Sequence, residues 1–136
     1  MSSSGLGYIS LSLDNKEMLG INFYGSLDMY WSALIDDLPP VLEGEKRSIG
    51  FYDLAPGANW LTPLPDGLIR FDRRQYTDSL GDVFAPAVSA VADRTALATA
   101  ISAGAQAWHD FCERTGETNY AGPIFQERID AVRAAI

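Results

Sequence analysis

Residues 8–38, YISLSLDNKEMLGINFYGSLDMYWSALIDDL, decide the fold, because their hydrophobic period changes once, from two residues to between three and four. From Tyr8 to Leu13, Ile9, Leu11 and Leu13 alternate with Tyr8, Ser10 and Ser12, the period of a half-buried strand. Met18 to Tyr24 repeats it with Leu19, Ile21 and Phe23 on one face, and the polar run Asp14-Asn15-Lys16-Glu17 predicts the hairpin turn between the two. Leu27, Trp31, Leu34 and Leu38 then recur at helical spacing, with Tyr30 and Ile35 beside them. Ser26 is placed to cap the free amides of this helix, and Pro39-Pro40 sets its expected end at Leu38, since a proline ring has no N–H and crowds the preceding turn.

Working outward, Ser2-Ser3-Ser4-Gly5 has nothing to bury, so residues 1–6 read as a disordered tail and residues 7–136 as one domain. Beyond the helix, Ser48–Leu54 reads as a third strand and Leu68–Asp72 as a fourth. Ala55–Gly67 lies between them and carries Pro56, Pro63, Pro65, Gly57 and Gly67, the composition of a long loop. The alanine-rich remainder reads as three helices. The first starts at Asp82 or Ala85 with Val83, Phe84, Val88 and Val91 on its apolar side. The second is capped by Thr95, carries Leu97, Ile101, Ala105, Trp108 and Cys112, and stops at Gly116; Gly122-Pro123 opens the third. The expectation is an α+β domain: a small, mainly antiparallel sheet of about four strands, ordered β-β-α-β-β, with a helical C-terminal half on one face.

Composition bounds the function. With 136 residues, 47% of them hydrophobic and 21% charged, the chain has the makings of one globular core. It shows neither a membrane-length apolar run nor a signal peptide, and reads as cytoplasmic. Ten basic against eighteen acidic residues give a net charge of −8, which repels polyanions and argues against nucleic acid and anionic membrane as partners. Cys112 is the sole cysteine and His109 the sole histidine, so no multi-cysteine metal site forms, and no metal or cofactor is expected. Nucleophile-elbow and phosphate-loop motifs are absent. On a helix, Cys112 projects into the core face and His109 to its boundary, within reach of Glu113; neither is expected to be catalytic.

Two local features point to binding. Asp36 and Asp37 fall in the expected last helical turn, where unpaired carbonyls disfavour acids, and Asp28, Ser32 and Asp36 project along one outward stripe beside Met29. That stripe is either a protein-binding surface or an ordinary solvated face compensated by Lys46 or Arg47. Trp60, in the proline-rich loop, either covers a sheet edge or offers an aromatic anchor. The leading expectation is a small acidic binding protein, not an enzyme, that holds and neutralises a more basic protein by occlusion. Bacterial immunity proteins, which inhibit toxins and other effectors, share that general character, an analogy of class carried by no motif. The alternative is an enzyme or small-ligand domain with a pocket between sheet and helices, lined by Tyr24, Tyr52, His109 and carboxylates.

Overall fold

In the computed structural model, which describes residues 6–8, 10–19, 24–49, 59–116 and 123–136, strand β1 (Leu6–Tyr8) pairs antiparallel with β4 (Tyr24–Ser26). In sequence this pair encloses an inner hairpin, β2 (Leu11–Leu13) with β3 (Lys16–Leu19). Asp14 and Asn15 both hold left-handed backbone, φ 50° and 61°, the geometry of a two-residue hairpin turn. The turn is therefore two residues shorter than its polar composition suggests, and Lys16 and Glu17 belong to β3. Pairing with Ser26 brings Leu6, expected in the tail, into β1. Ile9, Ile21, Phe23 and the tail through Gly5 lie outside the described residues.

Helix α1 spans Leu27–Leu42 and runs through Pro39-Pro40 instead of stopping before them. The prolines lack donors but keep their carbonyls, which accept from Glu43 N at 3.2 and 3.1 Å, and Pro40 O also accepts from Glu45 N at 3.0 Å. Val41 and Leu42 are buried by the extra turn, and this burial offsets the amide bonds lost at the prolines. Arg94 completes the helix end: its Nη2 donates to Leu42 O at 3.0 Å and to Ala135 O at 2.8 Å.

The main sheet is assembled from β5 (Arg47–Ser48), β6 (Trp60–Leu64) and β7 (Leu68–Arg73), followed by a short arm of β8 (Tyr76–Thr77) and β9 (Val83–Ala85), then β10 (Val88–Asp93). Its order is β10-β7-β6-β5 with every neighbour antiparallel. Trp60–Leu64, expected in a loop, is thus a strand. Pro63 is tolerated because β5 pairs only with Trp60 and Leu61, so β6 is an edge where the proline stands. Asp66 and Gly67, φ 64° and 73°, then turn the chain into β7. Phe51, Tyr52 and the rest of the expected third strand after Ile49 lie outside the described residues.

The segment expected as a helix from Asp82 or Ala85 is instead β9 and β10. Val88, Ala90 and Ala92 alternate with the exposed Ser89, Val91 and Asp93, and pairing with β7 from Val88↔Arg73 to Asp93↔Leu68 fixes period two over the helical spacing of the valines. Helix α2 (Arg94–Thr115) follows at once. Its N-cap is Asp93, whose carboxylate accepts from Ala96 N at 2.9 Å, so Thr95 is a helical residue and not the cap. Gly116, φ 75°, ends it as expected, and Pro123 opens α3 (Pro123–Ala134).

One core results, with α1 at its centre packed on β5, β6, α2 and α3. Tyr30, Leu34, Ile35 and Leu38 of α1, Leu61, Ile69 and Phe71 of the sheet, and Phe125, Ile129 and Val132 of α3 are all buried in it. Lys16 Nζ donates to Ser89 O at 3.0 Å, bringing the β2–β3 hairpin to β10. The buried Arg73 guanidinium donates to the carbonyls of Met18, Pro86 and Arg74, tying β3 to the base of the arm.

Candidate functional site

The central position of α1 leaves it little free surface. Between Met29 and Leu42 only Met29 and Asp36 are exposed; Ser32 and Asp37 are half-buried, and Asp28 stands in the first turn, its side chain outside the described residues. Asp36 forms an ion pair with Arg128 of α3 at 2.9 Å. Asp37 lies 3.8 Å from Arg47; burial raises its pKa, Arg47 counters this, and neighbouring Asp36 adds to the rise. Because α1 continues to Leu42, neither acid is in the last turn, so the helix-dipole argument for their being misplaced does not hold.

Trp60 occupies the outer face of the sheet, directly across from Asp72, with Lys46 Nζ 4.7 Å from its ring centroid. Asp72 accepts from Arg70 Nε at 2.9 Å and from the Ser89 hydroxyl. Desolvation pushes Asp72 upward, but these two hydrogen bonds and the charges of Arg70 and Lys46 outweigh it and leave the carboxyl below its ordinary value. Acidic and basic side chains therefore offset one another on this face.

His109 is buried, 5.9 Å from the Phe125 ring centroid and 3.8 Å from Glu113, and Cys112 is buried in the core. The structure therefore places His109 inside the helical layer instead of at its boundary. Among the described residues no three histidine, cysteine or acidic side chains gather as a metal site. Among the described residues no helix is long and apolar enough to cross a membrane.

The most prominent unassigned feature is the arm. Its base is packed: Tyr76 and Ala85 are buried, Tyr76 stacks with Phe84 at 6.2 Å, and Asn59 Nδ2 donates to the Tyr76 hydroxyl at 2.8 Å. Every residue from Thr77 to Val83 is exposed, and Leu80, at 85%, is the most exposed large apolar side chain among the described residues. This tip has a defined internal structure. Asp78 Oδ1 accepts from Leu80 N at 2.9 Å and Asp82 N at 3.0 Å, Gly81 N donates to Asp78 O at 3.1 Å, and Gly81 holds φ 86°. No lysine or arginine occurs between Arg74 and Arg94, while Asp78, Asp82 and Asp93 do. Asp78 followed three residues later by Gly81 is a turn signature, but nothing in the local sequence marks Leu80 as uncovered.

Comparison with protein-family models, with curated proteins and with solved structures finds no match to the chain.

Proposed function

We propose that the protein is a binding module for a more basic partner protein, which it engages through the Leu80 tip and inhibits by occlusion. The observation that carries this reading is a fully presented leucine on a turn whose own carboxylate fixes its shape. Burying such a side chain in a partner's pocket contributes about 1.5–3 kcal/mol. Little of that is spent on ordering the loop, because Asp78 has already set its conformation. Asp82 and the net charge of −8 favour a basic rim around that pocket and speed encounter with it. Neutralisation, in the manner of immunity proteins or antitoxin-like inhibitors, follows where the covered surface is the one the partner uses.

The test is capture from the source organism with wild-type protein, Leu80→Ser, and Leu80→Ser combined with Asp82→Lys as baits, followed by titration of the purified partner. The expected result is a stoichiometric basic protein whose Kd rises at least about tenfold for Leu80→Ser, about 1.4 kcal/mol, and further for the double variant. Equal binding by all three baits, or a partner of acidic charge, overturns the reading.

A further inference from the structure

A second, independent feature lies on another part of the molecule, where β2 crosses α1 and α2. A cavity of about 380 Å³ opens there, within the roughly 300–1,000 Å³ of small-molecule sites. Leu34 and Ile101, both buried, form its floor; Trp31 and Gly104 stand at one wall, and Ser10, Ser12 and Ala100 at the exposed rim. Among the described residues no ionisable side chain lines it.

Trp31 is held in place by Gly104. A Cβ at that position would lie 2.3 Å from Trp31 Cη2, so the indole closes on the α2 backbone where no other residue permits it. Glycine is disfavoured in a helix interior relative to alanine, and this close approach accounts for its presence. The result is an aromatic wall beside an apolar floor, with the Ser10 and Ser12 hydroxyls for polar recognition.

We infer that this cavity binds a small uncharged molecule with an alkyl or aromatic body and one hydroxyl, carbonyl or amide end. The body lies against Trp31, Leu34 and Ile101, and the polar end meets Ser10 and Ser12. A carboxylate or ammonium is disfavoured, because the described lining residues carry no charge to offset its desolvation. The inference does not depend on the proposed protein partner.

Titration of the full chain with 1-butanol, 1-hexanol and 1-octanol, followed by NMR shifts of the Trp31 indole N–H and the Ala100 and Gly104 amides, tests it. Saturable shifts confined to these residues are expected, with affinity rising about fourfold per added methylene. Hexanoate and hexylammonium are expected to bind at least tenfold more weakly than hexanol. Ala100→Phe, which fills the rim from an exposed helix position, should abolish binding while leaving the fold intact by NMR; Ala100→Leu serves as a milder version. Leu80→Ser should bind hexanol as the wild type does. Non-saturating or scattered shifts, tight binding of the charged analogues, or unchanged affinity in folded Ala100→Phe overturns the inference.

Discussion

Single residues here are read through their neighbours. Gly104→Ala removes the entropic penalty of a helical glycine, a gain of up to about 1 kcal/mol, yet drives a methyl into the Trp31 ring. Overpacking of that kind costs about 1–3 kcal/mol, so a net loss of about 1–2 kcal/mol is expected in urea unfolding. In a Trp31→Leu background the same substitution should become stabilising, which separates the clash from any general intolerance. Asp37 gives the opposite lesson. Burial raises its pKa above the ordinary 3.8, more than Arg47 holds it down, so the folded chain keeps this proton to higher pH than the unfolded chain does. Its contribution to stability is present in full below the ordinary value and is lost as pH rises through the folded pKa. Asp37→Asn should therefore raise Tm at about pH 7 and leave it unchanged at about pH 3, as thermal scans at the two pH values will show.

At the level of elements, the identity of the α2 cap is directly testable. Asp93→Ala should cost about 0.5–2 kcal/mol by removing the carboxylate from Ala96 N, whereas Thr95→Ala should move the denaturation midpoint little. The contrast shows what a sequence displays and what it conceals. Gly116 and Pro123 declare their roles through their own backbone chemistry, and the class of fold, α+β with an antiparallel sheet under C-terminal helices, follows from the period change after Tyr24. Val83, Phe84, Val88 and Val91 fit a helical spacing as well as a strand, and only the ladder with β7 selects the strand. Pro39-Pro40 reads as a stop because its local cost is visible, while the burial of Val41 and Leu42 and the bonds from Arg94 come from distant chain. Projection of α1 assumes one core direction, but this helix has neighbours in the sheet and in α2 and α3, which is why Ser32 of its outward stripe is half-buried. The turn signature at Asp78–Gly81 is legible; that Leu80 stays uncovered depends on everything that does not pack against it.

For the whole molecule, charge governs encounter more than affinity. If a basic partner is captured, its association rate should fall steeply as salt rises from about 0.1 to 1 M and the Debye length shrinks from about 10 to 3 Å, while dissociation, set by the leucine contact, changes less. Stopped-flow or surface-binding kinetics will separate the two, and an association rate independent of salt removes the electrostatic part of the proposal. The Arg94 clamp carries a different consequence, one of timing. Its two carbonyl acceptors belong to residues 52 positions before it and 41 positions after it. During vectorial synthesis at roughly 5–20 residues per second, α1 leaves the ribosome seconds before the second acceptor exists. The clamp on the proline-bearing turn of α1 is thus complete only once Ala135 has been made, long after the helix it closes.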